Sequence, residues 1–493
     1  MTKPDPCPTP FNLAAHVLAQ AARLPDKVAL AVLSPFGADR WSFAQLEDRV
    51  LRVASGLLMQ GLRPGDRVLL RLGNRPDFPV AYLAAIAVGL VPVPTSAQLT
   101  TPEITRLTRE IAPKLILAHD GIALPDPAPC PVVTDIDALA VQDRATYEMG
   151  DPDRLAYLVY TSGTSGRPRA VAHAHRAIWA RRRMHQSWYD LREDDRLLHA
   201  GAFNWTFTLG TGLLDPWSVG ATALILAEGT DPASLPLLLN RHDVTIFAAA
   251  PGVYRGLLRA PMPPLPKLRH GLSAGEKLPD PIRAAWEAAT GTTIHEALGM
   301  SECSTFLSGC PDRPAPPHTL GFAQPGRRIA ILGTDDLPVP HGDVGTLAIH
   351  RSDLGLMLGY LTDTGFDLSL SGDWFVTGDL VHAEPDGALV YHGRSDDMLN
   401  AGGFRVSPQE IERAFAPLVG DCAAVSVEIR EDTHIICLAQ CSDHAEPDLR
   451  HHAETCLARY KQPRLYVRLD ALPRGANGKL NRKALAAAIR DAQ

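Results

Sequence analysis

The order of apolar and polar positions divides most of the chain into short and long segments. From about residue 12 to residue 350, short apolar runs predict buried strands at 66–72, 114–119, 221–227 and 243–250. Segments with helical spacing, such as residues 42–62, lie between these runs. Strands that alternate with helices predict an α/β architecture with mostly parallel sheets.

The pattern changes near residue 395. Residues 404–415 predict a strand followed by an amphipathic helix, residues 422–429 and 433–441 predict two strands, and residues 451–460 predict a helix. A chain of 493 residues is too long for one hydrophobic core. We therefore predict an N-terminal α/β domain over residues 1–394 and a small α+β domain over residues 395–493.

One apolar stretch, residues 78–94, has about the length of a short membrane span. Pro79, Gly89, Pro92 and Pro94 interrupt it, which predicts a buried helix followed by a strand. The N-terminus lacks the charged and then apolar pattern of a signal peptide.

The composition is that of an ordinary globular protein, with 45% hydrophobic and 21% charged residues. The net charge of −7 gives no electrostatic reason to expect nucleic acid or an anionic membrane as a partner. The eight cysteines have no CxxC spacing, which favours reduced thiols in the cytoplasm and no structural zinc site.

A run of small polar residues follows the apolar residues 155–160, and it consists of Thr161, Ser162, Gly163, Thr164, Ser165 and Gly166. Glycines let backbone N–H groups close around an oxyanion, and the hydroxyl groups add further donors. Arg169 would add positive charge. The run therefore predicts a phosphate cradle, although it is no GxxxxGK[ST] loop and a flexible surface loop could have the same composition.

Four further stretches follow in the order "LSAGEKLP" (272–279), "EALGMSE" (296–302), "DWFVTGDL" (373–380) with residues 391–412, and "LPRGANGKLNRKAL" (472–485). With the small-residue run, this series resembles the motifs of the acyl-adenylating enzymes, a superfamily of acyl-CoA synthetases, peptide-synthetase adenylation domains and luciferases. The wording is most similar to benzoate-type and other small-acid CoA ligases. The resemblance covers most of the chain.

The resemblance implies a binding site for ATP and Mg²⁺. Residues 161–166 would hold the β- and γ-phosphates, with Arg169 in place of the family's lysine, and Glu302 would bind Mg²⁺. Asp379 and Arg394 would bind the ribose. The adenine would lie beside Gly275, Glu276, a wall formed by Glu296, Ala297, Leu298 and Gly299, and the hydroxyl of Ser301. Leu298 replaces an aromatic residue that would stack on the base.

The resemblance also implies a mobile C-terminal domain. Lys479 would reach over the acid and the α-phosphate, where negative charge builds up during attack. A hinge at Asp396, within residues 394–397, would then exchange Lys479 for the segment that contains Gly402 and Gly403. These glycines would let the pantetheine arm of CoA pass close to the backbone.

The implied reaction activates a carboxylic acid with ATP and transfers the acyl group to CoA. Trp205, Phe207, Tyr254 and Met300 fall in stretches from which similar enzymes build the acyl pocket. The two aromatic residues at 205 and 207 favour an aryl or a short-to-medium acyl group, although both could equally be core residues. The resemblance leaves a homodimer open and implies a small-molecule acid, ATP and CoA as the binding partners.

Three alternatives remain at this stage. The acyl acceptor could be a separate carrier protein, or the chain could be a degenerate member that binds nucleotide without catalysis. Residues 271–275, "GLSAG", also match G-x-S-x-G, which would make Ser273 a hydrolase nucleophile with Asp379 and either His382 or His392. The prolines at 279 and 281 argue against the helix that such a serine requires.

Overall fold

The computed structural model describes residues 5–140, 143–161, 168–395, 399–401, 404–430, 433–457, 459–475 and 479–492. Within these ranges the strands, in chain order, are β1 (Val28–Ser34), β2 (Gly37–Ser42), β3 (Arg67–Arg71), β4 (Val91–Pro94), β5 (Leu115–Ala118), β6 (Val132–Val133), β7 (Leu155–Thr161), β8 (Arg169–Ala174), β9 (Arg196–His199), β10 (Thr222–Leu226), β11 (Ile246–Ala248), β12 (His270–Ala274), β13 (Ile294–Met300), β14 (Ser304–Ser308), β15 (Phe322–Ala323), β16 (Ile329–Leu332), β17 (Gly345–His350), β18 (Gly359–Thr362), β19 (Gly365–Asp367), β20 (Trp374–Ala383), β21 (Leu389–Arg394), β22 (Leu399–Ala401), β23 (Phe404–Val406), β24 (Cys422–Arg430), β25 (Thr433–Gln440) and β26 (Leu465–Arg468).

The α-helices of the same ranges are α1 (Leu13–Leu18), α2 (Phe43–Met59), α3 (Asp77–Ala87), α4 (Thr101–Ile111), α5 (Ile136–Leu139), α6 (Arg176–Ser187), α7 (Thr206–Leu209), α8 (Asp215–Val219), α9 (Leu235–Arg241), α10 (Pro251–Leu257), α11 (Asp280–Thr290), α12 (Pro408–Val419), α13 (Glu446–Cys456) and α14 (Arg482–Asp491). A π-helical turn, Gly210–Leu214, joins α7 to α8. The strands and the long helix predicted from the apolar pattern are all confirmed, with ends shifted by one to three residues.

The largest sheet has nine strands in the order β15-β14-β13-β12-β11-β9-β10-β1-β2. Its central strands, from β13 to β1, are parallel, and the strands at both edges are antiparallel. Strand β11 shows why the sequence has continuous apolar runs, because all three of its residues, Ile246–Ala248, are apolar and buried. The strand order changes direction at β9, because the next strand, β10, lies on one side of it and the following strand, β11, lies on the other. Such a reversal point leaves a crevice at the carboxyl ends of the strands.

Three more sheets complete the N-terminal part. The order β4-β3-β5-β6 is parallel, and the orders β19-β18-β8-β7 and β16-β17-β20-β21 are antiparallel. Helix α2 begins at a capping box formed by Ser42 and Gln45. The predicted α/β fold class is confirmed. Parallel strands form the centre of the nine-stranded sheet and the whole of the sheet β4-β3-β5-β6, while the other two sheets of the N-terminal part are antiparallel.

The apolar stretch at 78–94 forms a core helix and an edge strand, as predicted. Helix α3 is buried from Phe78 to Ala87, and its eleven residues are too few to cross a bilayer. Pro92 and Pro94 lie in β4 at the edge of its sheet, where a missing N–H donor is tolerated. Among the described residues, none of the helices is both long and apolar enough to span a membrane.

The C-terminal residues pack among themselves. Strands β24, β25 and β26 form one sheet, with an antiparallel and a parallel pairing. Two hydrophobic clusters contain only residues from Leu399 onward, and they pack on the two faces of this sheet. The exact division of the chain into residues 1–394 and 395–493 stays a prediction.

A fully buried ion pair ties the β15–β16 connection to the β17–β18 connection. Arg327 Nη1 lies 2.8 Å from Asp353 Oδ1, and neither side chain is exposed. Arg327 Nη2 also donates to the carbonyl oxygen of Thr305 at 2.7 Å. Removal of one partner would leave a buried charge without compensation, which is far more costly than loss of an exposed pair.

We predict that Asp353→Ala destabilises the N-terminal part by about 3–5 kcal/mol, because Arg327 keeps its buried charge. Urea denaturation followed by tryptophan fluorescence measures this change. The control is Asp373→Ala, which removes an exposed pair with Arg351 (N–O distance 3.5 Å) and should cost at most about 1 kcal/mol. Equal effects of the two substitutions would contradict the prediction.

Candidate active site

Two pairs of predicted site residues lie at the carboxyl edge of the nine-stranded sheet. Gly275 and Glu276 follow β12, and Ser301 and Glu302 follow β13. The carboxyl ends of adjacent parallel strands meet at one edge, so residues from separate motifs become neighbours. Gly275 has φ of +98°, a backbone conformation that favours glycine at the turn out of β12. Thr161 ends β7 at the start of the predicted phosphate cradle.

Five predicted residues of the phosphate cradle lie outside the described residues, and so do the proposed hinge and the glycine pair of the C-terminal domain. They are Ser162, Gly163, Thr164, Ser165, Gly166, Asp396, Gly402 and Gly403. The residues on either side of the cradle are described, and they place β7 antiparallel to β8 with Thr161 opposite Arg169.

Glu302 and Arg169 meet at a residue that the sequence did not suggest. The Tyr360 hydroxyl donates to Glu302 Oε1 at 2.7 Å, and the Arg169 guanidinium carbon lies 3.2 Å from the centre of the Tyr360 ring. Burial and the neighbouring carboxylate of Glu302 raise the pKa of Tyr360, so the phenol stays protonated. No local signal marks Tyr360, because its two contacts come from distant parts of the chain.

Asp379 and Arg394 face each other across β20 and β21. Arg394 Nη1 lies 3.5 Å from Asp379 Oδ1, and the Tyr391 hydroxyl donates to the same oxygen at 3.2 Å. Burial raises the pKa of Asp379, and the positive charge of Arg394 opposes this change. The two residues predicted for the ribose therefore form one charged pair at the site.

Lys479 approaches the carboxylates of the N-terminal part from a turn of the C-terminal part. The Gly475 N–H donates to the Lys479 carbonyl oxygen at 2.8 Å and closes this turn. Although Lys479 as a whole residue is exposed, desolvation of its ammonium group by the surrounding protein lowers its pKa, while the charges of Glu276, Asp379 and Glu302 act in the opposite direction. A cation that is remote in sequence thus lies among three acidic side chains that the motifs supply.

Arg474 and Arg255 also form ion pairs between the N-terminal and the C-terminal parts of the chain, close to Lys479. Arg474 Nη1 lies 3.7 Å from Glu276 Oε2, and Arg474 Nη2 lies 3.1 Å from Asp421 Oδ2. Arg255 Nη2 lies 3.6 Å from Asp421 Oδ1. Burial raises the pKa of Glu276, and Arg474 is the nearest cation that lowers it again. Arg474 and Arg255 were not among the predicted site residues.

The strand predicted as the nucleotide wall presents its residues in different directions. The Glu296 carboxylate is buried and binds Lys277 Nζ (3.0 Å), Arg283 Nη2 (3.1 Å) and the Leu278 N–H (2.9 Å). Ala297 is buried in the core, and Leu298 is half-buried. Gly299 allows the close approach of β14, since a Cβ atom there would lie 2.7 Å from the Thr305 Cα atom. The Glu296 side chain is thus engaged with the protein itself.

The residues predicted for the acyl pocket do not all face the same space. Trp205 lines a cavity beside the site, together with Asn204, Thr206, Ser301 and Ser304. Phe207 packs against Trp188 and His199, with ring centres 5.9 Å and 4.4 Å apart.

Tyr254 and Met300 lie elsewhere. Tyr254 is fully buried, and its hydroxyl donates to the carbonyl oxygens of Phe247 (2.8 Å) and Leu272 (3.0 Å). Its helix α10 turns this side chain into the core of the sheet, so these contacts give it no place at the cavity. Met300 ends β13 and is half-buried against the core.

A buried polar cluster closes one end of the cavity. Arg181 Nη2 lies 2.5 Å from Asp215 Oδ2, and the Tyr189 hydroxyl donates to the same oxygen at 2.9 Å. Arg181 also donates to Ser304 Oγ, which lines the cavity. Gly210 gives room for this arginine, since a Cβ atom there would lie 2.4 Å from the guanidinium carbon. Arg181 is therefore buried, although it lies on a helix that also carries Arg182 and Arg183.

The environment of Ser273 is not that of a hydrolase nucleophile. Ser273 lies inside β12 rather than at a sharp turn, and its side chain is fully buried. The next helix, α11, begins only at Asp280. A nucleophilic serine of this type needs an exposed hydroxyl at a strand-to-helix turn. The hydrolase alternative is therefore excluded by the fold around Ser273.

Comparison with known proteins agrees with this geometry. A family model described as AMP-binding enzyme matches residues 17–361. The chain belongs to the AMP-binding enzyme family. This AMP-binding enzyme is 30% identical over 485 residues to the benzoate–CoA ligase of Thauera aromatica, with 92% of the chain and 91% of that protein covered. It is 29% identical over 478 residues to the 3-hydroxybenzoate–CoA ligase of Aromatoleum sp. (strain CIB), covering 90% of the chain and 91% of that protein.

The fold is also similar to that of a solved CoA ligase structure. A crystal structure of a benzoate CoA ligase from Burkholderia xenovorans LB400 superposes with a TM-score of 0.86 and is 27% identical, covering 97% of this chain and 100% of that one. The resemblance to the acyl-adenylating enzymes that the motifs suggested is confirmed.

We predict that Glu296→Gln lowers the thermal stability of this AMP-binding enzyme and leaves its affinity for ATP within about twofold of the wild type. The carboxylate stabilises the segment from Lys277 to Arg283 by charge-assisted hydrogen bonds. Differential scanning fluorimetry and titration calorimetry measure the two properties. A loss of ATP affinity without a loss of stability would instead place the Glu296 side chain at the nucleotide.

Proposed function

We propose that this AMP-binding enzyme joins a small carboxylic acid, with an aryl acid of the benzoate type as the first candidate, to CoA at the expense of ATP. The chain is an AMP-forming acid–CoA ligase by its family and its relatives. The observation that supports the assignment of roles is the position of Lys479 among Glu276, Asp379 and Glu302. A cation delivered by the C-terminal part can stabilise negative charge that develops between two bound anions.

In the first half-reaction a carboxylate oxygen attacks the α-phosphorus of ATP. The bond between this phosphorus and the oxygen that bridges to the β-phosphate breaks, and pyrophosphate leaves with the electron pair. We assign the stabilisation of the α-phosphate to Lys479, the binding of the β- and γ-phosphates to residues 161–166 with Arg169, and the binding of the ribose to Asp379 with Arg394. The adenine lies beside Gly275, Glu276 and Ser301 in this assignment.

Glu302 fits the role of a magnesium ligand. Its Oε1 atom accepts from Tyr360, and Oε2 accepts no hydrogen bond in the part of the chain that the structure describes. No group of three or more acidic, histidine or cysteine side chains surrounds it within those residues. One carboxylate with substrate phosphates and water is the ligand set that Mg²⁺ prefers at nucleotide sites. When bound, Mg²⁺ would neutralise charge on the phosphates.

In the second half-reaction the CoA sulfur attacks the carbonyl carbon of the acyl adenylate, and AMP leaves with the bridging oxygen. Lys479 and an incoming thiol cannot both face the same carbonyl group. We assign the exchange to rotation of residues 395–493 about Asp396, which would bring Gly402 and Gly403 to the site. The separate hydrophobic clusters of the C-terminal residues support such a rotation.

The cavity beside Trp205 and Ser301 is the candidate acid pocket. The Trp205 ring and the buried Arg181–Asp215 pair limit its depth, which favours a ring or a short chain over a long acyl chain. A carrier protein as acceptor is the remaining alternative. We also propose a cytoplasmic location, with the eight unpaired cysteines as the supporting observation. A homodimer stays an untested prediction.

Pyrophosphate release across a panel of acids tests the function. The purified protein receives ATP, Mg²⁺ and one aryl, short or medium carboxylic acid, each with and without CoA. We expect continuous release with an aryl acid and CoA, and little turnover without CoA, because the acyl adenylate then stays bound. One burst that CoA does not relieve would favour a carrier-protein acceptor, and no release with any acid would contradict the proposal.

We predict that Lys479→Ala slows adenylate formation by about 10²–10³-fold, the usual cost of removing one group that stabilises transition-state charge. Thioester formation from a synthetic acyl adenylate and CoA should survive. Because its pKa is lowered, Lys479 loses its proton at a lower pH than an ordinary lysine does. The rate of adenylation should therefore also fall at that lower pH. Lys479→Arg should move that loss to higher pH.

Lys483→Ala is the control, because it removes a lysine four residues further along the chain, in the first turn of α14, to which no role at the site is assigned. Both half-reactions should be unchanged in this variant. Near-normal adenylation in Lys479→Ala, or equal loss of both half-reactions, would remove the assignment of Lys479.

A further inference from the structure

Tyr360 occupies a position from which one side chain can reach two groups of the ATP site. In the antiparallel pairing of β18 with β8, Tyr360 lies opposite Val171. Arg169 is two residues from Val171, so it lies on the same face of β8 as a diagonal neighbour of Tyr360. The register of these strands therefore fixes the contact between the Arg169 guanidinium and the Tyr360 ring.

The stacking uses the face of the guanidinium and leaves its edge available. The guanidinium carbon is 3.2 Å from the ring centre, and the side chain of Arg169 is exposed. Arg169 donates no hydrogen bond to the residues that the structure describes. A planar guanidinium can stack on an aromatic ring and still present its N–H groups to a phosphate, whereas a lysine ammonium group has no such plane.

The hydroxyl of the same tyrosine holds the carboxylate. It donates to Glu302 Oε1 at 2.7 Å, and Tyr360 is 9% exposed, so little water competes for this bond. The backbone supports the geometry, since the Met357 N–H donates to the Glu302 carbonyl oxygen at 2.8 Å and the Leu358 N–H donates to the Ala172 carbonyl oxygen at 2.8 Å. The segment that leads into β18 is thus hydrogen-bonded to Glu302 and to β8, the strand that carries Arg169.

We propose that Tyr360 is a positioning residue of the adenylation site, whose ring aims Arg169 at the ATP phosphates and whose hydroxyl orients the free oxygen of Glu302 toward the metal ion that accompanies them. This inference rests on the proposed function. It also accounts for arginine at position 169, because the Tyr360 ring gives a planar cation a surface on which to lie.

Equilibrium binding of ATP without any acid tests the two roles of Tyr360 separately from turnover. Titration calorimetry is done with Mg²⁺ and with EDTA on wild type, Tyr360→Phe, Tyr360→Leu, Arg169→Lys and the two double variants. Tyr360→Phe removes only the hydroxyl, so we expect about tenfold weaker binding with Mg²⁺ and no change with EDTA. Arg169→Lys should weaken binding about fivefold in both buffers.

The double variants decide whether the ring aims Arg169. Arg169→Lys should cost as much in Tyr360→Phe as in the wild type, because the ring is kept. In Tyr360→Leu the same change should cost less than about twofold, because the stacking is already lost. An equal cost of Arg169→Lys in all three backgrounds would overturn the role of the ring. Equal weakening of Tyr360→Phe with Mg²⁺ and with EDTA would overturn the role of the hydroxyl.

Tyr147→Phe is the matched control for loss of a tyrosine–glutamate hydrogen bond. The Tyr147 hydroxyl donates to Glu47 Oε1 at 3.0 Å, and both residues belong to the N-terminal elements around α2. This variant should bind ATP as the wild type does, and unfolding temperatures of all variants separate stability from binding. If the acid panel gives no pyrophosphate release while the ATP-binding pattern holds, the proposed function fails and the role of Tyr360 stands.

Discussion

The concentration of negative charge at one sheet edge is the constraint on which the site depends. Glu276 and Glu302 follow adjacent strands of the nine-stranded sheet, and Asp379 approaches them from the middle of β20 in another sheet. ATP would bring further negative charge to the same place. Each carboxylate has a partner from another element. Arg474 forms an ion pair with Glu276, Arg394 forms an ion pair with Asp379, and Tyr360 donates a hydrogen bond to Glu302. Lys479 then adds positive charge between them. Without these partners the carboxylates would repel the nucleotide that they help to bind.

Position 169 has an arginine where similar enzymes have a lysine, and the structure suggests a reason for this difference. The resemblance assigns a phosphate-binding lysine to this position, so the substitution first suggests a weakened site. The Tyr360 ring changes that interpretation, because it lies where a planar cation can stack. A guanidinium held by its face has fewer conformations to lose when its edge meets a phosphate. The substitution and the aromatic ring are therefore best considered as one feature.

The sequence predicted the fold well and the site in part, for a physical reason. Periodicity of apolar residues and the order of motifs depend on neighbours in the chain, so the α/β architecture and the convergence of Glu276, Glu302 and Asp379 followed from them. Side-chain direction depends on packing between distant segments. Tyr360 and Glu302 are 58 residues apart, and no local pattern connects them. Tyr254 was predicted at the pocket and lies in the core instead, because α10 packs that face of the helix against the sheet.

The ion pairs between the two parts of the chain are weak enough for the C-terminal part to change its position, as the proposed function requires. The ion pairs that join them, Arg474 with Glu276 and Arg255 with Asp421, are 3.7 Å and 3.6 Å long and partly exposed. Pairs of this kind contribute at most about 1 kcal/mol each, and salt screens them. The two hydrophobic clusters of the C-terminal residues contain no residue before Leu399, so rotation of those residues would leave them intact. The hydrophobic cores thus lie within each part, and weaker ion pairs lie between them, where the proposed exchange of Lys479 would take place.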